Sequence, residues 1–576
     1  MAVSNSSIAA VFEKLADLLD IEGANPFRIR AYRNAARLIS VHPGLISETV
    51  KRGEDLTYLP GIGKDLAAKV AEIVKTGRLS VLEEAKQRTP SGLTALLEIP
   101  GIGPKRIQAL KNNFKITDID SLERIVRAGR LRELPGFGPK LERVILEELR
   151  REKPTRVSLF LAEEVARDLV GYLKKIPGVL AVMPAGSYRR SQETVGDLDI
   201  LVTRRSDGPV TPDSDVMEKF VSYDDVEKIV ARGETRSTVL LKNHLQVDLR
   251  LVDAESYGAA LVYFTGSKAH NIAIRMIGVK NGLKINEYGV FRRNKRVGGR
   301  TEEEVYGTIG LPWIPPELRE NRGEIEAAQK GAIPELITLE QIRGDLHAHT
   351  DATDGHLTLQ EMVEAARSLG YEYLAITDHT RHLTVAKGQD PKRLAEQIRR
   401  IDKLNSRLKG FRVLKSAEID ILEDGSLDLP DSILKELDLR VCSVHFKFNL
   451  SRAKQTERII RAMDNRYFNI LGHPTGRLIG RRPAYDVDLE TILEAAVERK
   501  CFIELNSQPD RLDLADLYCQ KAKSLGLKIA ISTDAHSDSE LSFIRFGVAQ
   551  ARRAWLGAED VLNSQPWAEL EKFFKK

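Results

Sequence analysis

The run GDLDILV, residues 196–202, sets Asp197 and Asp199 one residue apart in a stretch otherwise apolar enough for a buried strand. Side chains two apart in a strand point the same way, so the aspartates share one face and Leu198, Ile200 and Val202 the other. A carboxylate removed from water is costly unless it is neutralised, so the polar face asks for a cation. HLQVDLRLV at 244–252 repeats the device: Leu245, Val247, Leu249 and Leu251 form one face, with Asp248 on the other beside Gln246 and Arg250. Side by side, the two runs make a three-carboxylate cluster whose self-repulsion divalent cations relieve. Oxygen ligands completed by phosphate and water suit Mg²⁺. Two such ions bind an attacking hydroxyl and a leaving pyrophosphate for in-line displacement. Upstream, in GSYRR at 186–190, the Gly186–Ser187 turn brings donors to phosphate oxygens and Arg190 offers a paired contact. Any one of these aspartates alone reads as a solvated strand end; the combined spacing does not.

A chain of 576 residues is too long for one core, and length alone argues for about four domains. With 42% hydrophobic and 30% charged residues the composition is that of a soluble globular chain. No apolar run approaches the roughly 20 residues needed to span a bilayer. The start, MAVSNSSIAA, lacks a basic segment followed by an apolar one, so a cytoplasmic address is expected and membrane insertion is not. Cys442, Cys501 and Cys519 fit neither a zinc site nor a disulfide framework and read as buried thiols. The net charge of +5 permits a polyanionic partner without demanding one.

A short motif recurs in the first quarter: LPGIGKDLAAKV at 59–70, IPGIGPKRIQAL at 99–110 and LPGFGPKLERVI at 134–145. Each reads as a tight glycine turn followed by an amphipathic helix, whose first N–H groups can bind a phosphate with a nearby Lys adding charge. One copy is equally a plain helix–helix turn. Three copies, each with Lys soon after the second Gly, resemble the helix-hairpin-helix motif, which grips the DNA backbone without reading sequence.

From about 155 a helix (LFLAEEVARDLVGYLKKI) leads into strand-like runs, then a mostly helical segment from 255. The Pro-rich LPWIPPEL at 311–318 followed by IPEL at 333–336 reads as a linker. Beyond it, apolar strands alternate with helices, as in an α/β barrel or layered sheet. Eight of the eleven histidines lie between His347 and His536. His347 and His349 share a strand face in GDLHAHTDATDG. Later strand-like runs end on His379, Glu418, His445, His473, and Asp534 with His536. In an α/β barrel such ends converge on one rim. His356 and His382 fall outside the pattern.

GSYRRSQETVGDLDILV, VDLRL, YFTGSKAHN at 263–271 and INEYGVF at 285–291 together resemble the family X DNA polymerases, the polymerase beta-like group, over roughly residues 1–315. The His-rich remainder resembles the polymerase-and-histidinol-phosphatase (PHP) domain. The resemblances imply a multidomain α/β and α+β chain. It comprises a helical lyase-like DNA-binding domain (1–85), fingers with helix-hairpin-helix motifs (86–153), a nucleotidyltransferase palm with a mixed sheet (154–254), a thumb (255–318), a linker (319–336) and a C-terminal distorted (β/α) barrel of PHP type (337–576).

By the same resemblance, Asp197 and Asp199 bind both Mg²⁺ ions, and Asp248 joins the catalytic ion and takes the primer hydroxyl's proton. Ser187, Arg190 and Gly196 hold the triphosphate; Tyr263, Phe264 and Gly266 line the sugar; Asn271 and Arg275 reach the minor groove; Lys69 matches the lyase nucleophile. The barrel would hold up to three ions, Mn²⁺ or Zn²⁺, through His347, His349, Asp354, His379, Glu418, His445, His473, Asp534 and His536. Two positions depart from the polymerase pattern: Gln246 stands where polymerase beta has Arg, and Lys268 replaces an acidic residue. Expected partners are gapped or nicked duplex DNA with its primer 3′ end and dNTPs, met by a nucleoid-associated monomer that fills repair gaps and trims or cleans DNA ends. A template-independent nucleotidyltransferase and a DNA-binding scaffold with inactive sites remain as alternatives.

Overall fold

The computed structural model describes residues 5–41, 46–58, 62–76, 79–88, 102–134, 136–138, 156–204 and 215–574, together with positions 93, 96, 99, 142 and 145. The chain divides into two compact units, 1–154 and 155–576.

The first unit is helical. Helices Asn5–Glu22, Pro26–Val41 and Lys64–Thr76 close on Phe12, Leu15, Tyr32, Val70 and Ile73, spaced so that each helix presents one apolar stripe. A second cluster gathers Ile107, Leu110, Leu122 and Phe137. Of the repeated turns, Gly61, Gly101 and Pro135 lie outside the described residues. The helix Pro104–Phe114 opens on Gly103 with Pro in its first turn, and Gly136 takes the positive φ of +86° that favours glycine.

The second unit contains all the described strands, β1 (Val157–Ser158) to β17 (Ile529–Ser532). β1 pairs with β3 (Thr194–Val195). A five-stranded mixed sheet runs β2 (Val179–Pro184), β4 (Asp197–Arg204), β7 (Gln246–Val252), β6 (Arg236–Leu241), β5 (Val226–Arg232). Only the central pair, β4 and β7, is parallel. Leu198, Ile200, Val202, Val247 and Leu249 face one core with the helix Leu159–Leu173, as the alternation in sequence requires. Leu201 faces the other side, against Ala260 and Leu261. Next come helices Tyr257–Thr265 and Lys268–Lys280 and a small sheet of β8 (Lys284–Asn286), β9 (Gly289–Arg292) and β10 (Lys295–Gly298).

Residues 319–336 are not a linker. Arg319 is fully buried and donates to Glu302 and to the Ile314 carbonyl. Glu324 is equally buried against His270 at 2.6 Å, and Leu318, Ile325, Ala328 and Leu336 fill the core that holds Ile285 and Tyr306. Pro and Gly break the helices here, but every buried charge finds a partner, so the segment packs onto the domain before it.

Seven parallel strands follow in sequence order: β11 (Gly344–Ala348), β12 (Tyr373–Ile376), β13 (Arg412–Asp420), β14 (Leu439–Ser443), β15 (Ile470–Leu471), β16 (Phe502–Asn506) and β17. A bridge between Ala348 and Ala535 joins the last to the first, closing a barrel. Along the inner face the chain turns from apolar to polar. Leu414 leads to Ser416 and Glu418, Val441 to Ser443 and His445, Phe502 to Glu504 and Asn506, and Ala530 to Ser532 and Asp534, all by the strand period of two. The lower layer is closed by Leu570 and Phe574 of the C-terminal helix Trp567–Phe574. The outward residues Val413, Ile419, Cys442, Ile503 and Ile531 pack under the surrounding helices, and all three cysteines are free and buried.

Barrel and five-stranded sheet share packing. Leu512 and Phe546 enter the core of the sheet, and Arg545 and Arg477 pair with Glu163 and Glu193 at 2.6 and 2.5 Å.

Two candidate metal-dependent active sites

In the five-stranded sheet the parallel register sets Asp199 directly beside Asp248, and Asp197 beside Gln246. Neighbouring strands lie about 4.8 Å apart, so all three carboxylates meet at one end of the central pair. Burial and the charges of Asp197 and Asp248 push the Asp199 carboxyl up to about 7. Burial and Asp248 raise Asp197 as well. Asp248 moves the other way: burial is outweighed by hydrogen bonds from Thr238 Oγ1 (2.6 Å), Gln246 Nε2 (2.9 Å) and Arg236 Nη2 (3.1 Å). A guanidinium therefore reaches Asp248 from Arg236 on the adjacent strand. Raised carboxyl pKa values mark negative charge that the protein leaves uncompensated, and an oxygen-only donor set of this kind fits a hard divalent cation.

Gly186 lets this cluster form. It takes φ +62°, and a Cβ there would meet Asp199 Oδ2 at 2.5 Å. Ser187 follows it on the short helix Gly186–Arg189. Arg190 is anchored by Glu320 (3.0 Å) and by the Thr265 carbonyl. Gly196 immediately precedes β4, and a Cβ there would meet Arg156 Nη1 at 3.1 Å. Tyr263 and Phe264 stand half-buried edge to face at 5.0 Å, with the Arg250 guanidinium 4.1 Å over the Phe264 ring. Gly266 reverses the chain at φ +72° into the helix that Ser267 caps. On that helix Asn271 spends its amide on the Tyr263 carbonyl at 2.6 Å, while Arg275 is exposed. Lys69 has a side chain only 13% exposed, and its Nζ pairs with Asp65, one helical turn earlier.

At the upper rim of the barrel, Glu418 is the hub. Its oxygens lie 2.8 Å from His379 Nδ1, 3.1 Å from His445 Nε2 and 2.8 Å from His473 Nε2, and 3.5 and 3.7 Å from His347 and His349. Asp534 reaches His349 at 3.1 Å and His347 at 3.6 Å. Asp354 reaches His379 at 3.3 Å and His536 at 3.5 Å. The donors form three groups: His349, Asp354, His379 and His536; His347, His349 and Asp534; and His379, Glu418 and His445. Asp354 joins the first group although it is exposed. His356 and His382 stay outside; the His382 ring packs on Phe446 at 4.2 Å.

Several atoms at the rim (His347 Nε2, both His349 nitrogens, Glu418 Oε2 and His473 Nδ1) are buried without a hydrogen-bond partner, a cost that a bound ion or water would relieve. The charge balance is equally pointed. Burial is outweighed by Glu418 and Asp354 at His379, raised to about 10. Burial, with His536 and His379, holds His349 down to about 3. Imidazole and carboxylate together fit Mn²⁺ or Zn²⁺.

A supporting layer was not foreseen. Glu504 Oε1 sits 2.7 Å from His347 Nδ1, and its other oxygen accepts from the His473 amide at 2.6 Å. Asp420 holds His445 Nδ1 at 2.8 Å, and Asp378 accepts from Thr350 and Thr353. Such partners fix the imidazole tautomer and aim the other nitrogen at a metal. The signal for Glu504 was present in FIELN at 502–506, a lone acid on the inner face of an apolar strand.

A mixed-sheet palm carrying three aspartates, followed by a His-rich barrel, defines a nucleotidyltransferase fused to a metal-dependent phosphoesterase fold. The chain matches family models for the DNA polymerase beta palm (162–248) and thumb (260–320), two helix-hairpin-helix domains (3–79 and 93–151) and the PHP domain (345–508). It is 37% identical over 575 residues to a DNA polymerase/3′-5′ exonuclease PolX of Bacillus subtilis, covering 99% of each chain. A DNA polymerase lambda of Arabidopsis thaliana is 25% identical over 55% of this chain and 62% of its own. A probable phosphatase of Thermoanaerobacter is 31% identical over 40% of this chain and 94% of its own. The chain belongs to the family X DNA polymerases that carry a PHP domain. Divalent metals, DNA and dNTPs follow from that membership. Among the described residues no helix is long and apolar enough to cross a membrane.

Proposed function

We propose that this polymerase fills short gaps in damaged DNA and that its barrel removes or cleans 3′ ends as a 3′-5′ exonuclease or abasic-site phosphoesterase. The observation that carries the reading is the direct pairing of Asp199 with Asp248 beside Asp197, against a separate rim where eight His, Asp and Glu side chains cluster and His473 meets Glu418. Mg²⁺ at the aspartates would supply charge neutralisation for the attacking and leaving oxygens, and Mn²⁺ or Zn²⁺ ions, up to three, would activate water at the barrel. Within the palm, Asp197 and Asp199 hold the ions while Asp248 accepts the proton of the primer hydroxyl. Ser187, Arg190 and Gly196 orient the triphosphate. Tyr263, Phe264 and Gly266 wall the sugar, and Arg275 with Asn271 reads the shape of the nascent pair. The duplex is held through phosphates at the helix-hairpin-helix turns, so binding weakens steeply with salt. The enzyme works as a monomer on gapped or nicked DNA in the cytoplasm, at the nucleoid.

The test separates the two sites. Asp197→Ala abolishes extension of a labelled primer and leaves its shortening intact; His349→Ala does the reverse. Loss of both activities in both folded variants would sink the two-site reading. Lys69 acts as a lyase nucleophile only if borohydride traps an adduct on an incised abasic substrate, and its pairing with Asp65 favours a phosphate-contacting ammonium instead.

A further inference from the structure

The nucleotide-holding turn of the palm is built partly from the barrel. Arg190 and Ser191 close that turn, and Ser191 takes φ +52°, a conformation that needs outside support in a residue with a Cβ. The support comes from the helix Ile544–Arg553 of the barrel. Gln550 Nε2 donates to the Ser191 carbonyl at 2.8 Å, and Arg553 Nη1 donates to the Arg190 carbonyl at 2.6 Å. Arg553 Nη1 also meets Glu320 Oε1 at 3.0 Å, the same oxygen that receives Arg190 Nε at 3.0 Å and Gln192 Nε2. Arg553 Nη2 is fixed in turn by Asp516 at 2.9 Å, itself paired with Arg322 at 2.8 Å. Arg553 is 3% exposed, so its charge serves these partners rather than solvent.

We propose that Arg553, acting through Glu320 and the Arg190 carbonyl, is a positioning residue for nucleotide binding at the polymerase site. The PHP barrel thereby sets the affinity of the palm for the triphosphate of a dNTP, whatever its own nuclease chemistry. Without Arg553, Glu320 would keep only the Gln192 amide beside Arg190 itself, and the guanidinium would lose part of the fixed orientation that a paired contact to phosphate oxygens requires. The proposal rests on the reading of Arg190 as a triphosphate contact.

The experiment uses the full-length enzyme and steady-state single-nucleotide insertion on gapped DNA. Arg553→Lys keeps the charge and the stem but cannot hold three acceptors in one plane; Glu320→Gln keeps the shape and removes the charge. Both are expected to raise KM for dNTP about tenfold or more, with kcat changed far less, KM for DNA unmoved and exonuclease rates equal to wild type. Arg190→Met alone should raise the same KM, and adding Arg553→Lys to it should change nothing further, because the two act in series. If Arg190→Met leaves KM for dNTP unchanged, the reading of Arg190 fails. If Arg190→Met raises it but neither Arg553→Lys nor Glu320→Gln does, or if the effects multiply in the double variant, the positioning role is overturned. A loss of exonuclease together with polymerase would mark Arg553 as merely structural and equally overturn it.

Discussion

The palm and the barrel solve one problem, concentrating negative charge around cations, in opposite ways. In the palm two neighbouring strands supply three carboxylates, and burial with the charges of Asp197 and Asp248 pushes Asp199 up to about 7 against the pull of Arg250 and Arg236, while Asp197 stays exposed at the edge. In the barrel seven strands supply imidazoles and carboxylates that neutralise each other, and His347 and His349 are fully buried. The open, oxygen-only site suits an ion that arrives with a nucleotide and leaves with pyrophosphate. The closed, mixed site suits ions that stay. Residence is therefore written into the donor chemistry and burial rather than into the number of ligands.

Chelation is the strongest way to break this contrast. Exhaustive treatment with a chelator should remove both activities, by about a thousandfold or more given what charge stabilisation supplies to such reactions. Brief gel filtration into metal-free buffer should abolish only polymerisation, with Mg²⁺ alone restoring it. Elemental analysis after filtration checks the point: metal retained at the barrel in full-length protein supports it, and a metal-free, still active nuclease refutes it.

Gly186→Ala probes the palm without replacing a carboxylate. Its Cβ would stand 2.5 Å from Asp199 Oδ2 on a backbone at φ +62°. Extension should fall about a hundredfold, since a misplacement of about 1 Å costs that much, while exonuclease rates hold.

Acid stability separates the palm–thumb core from both metal sites. Burial at Glu302 is outweighed by Arg189 and Arg319, which lower it from 4.5 to about 2. A depressed folded-state pKa stabilises above the unfolded value and is lost as pH falls through the folded one. Between pH 4.5 and 2 this group should cost about 3 kcal/mol. Denaturant titrations at stepped pH should show a correspondingly flatter acid limb in Glu302→Gln, from a lower neutral starting point.

The smallest effect sharpens the barrel. Glu504→Gln leaves every ligand in place but removes the carboxylate that orients His347. Metal affinity should weaken at least tenfold, the usual consequence of losing such a partner, with polymerisation unaltered. Competition with a metal-binding dye measures it directly.

Period and residue type made much of this legible in the sequence. Asp197, Asp199 and Asp248 could be assigned to polar faces because the strand period is two, and His379, Glu418, His445, His473 and Asp534 with His536 each followed an apolar run. Glu504 escaped because it lies inside its run rather than after it, and Asp420 because Glu418, two residues earlier, already accounted for the polarity of that strand. The segment 319–336 misled because prolines and charges resemble a linker until their partners are known: Arg319 needs Glu302 and Glu324 needs His270, both distant in sequence.

The sequence by itself determined which side chains share a face, because backbone geometry enforces that locally at every strand and helix. Only the tertiary structure decided which strands stand together: the register that sets Asp199 beside Asp248, the closure that joins β17 to β11, and the reach of Arg553 to the turn at Arg190. Those choices depend on long-range packing and on the pairing of charges hundreds of residues apart, which no local period encodes.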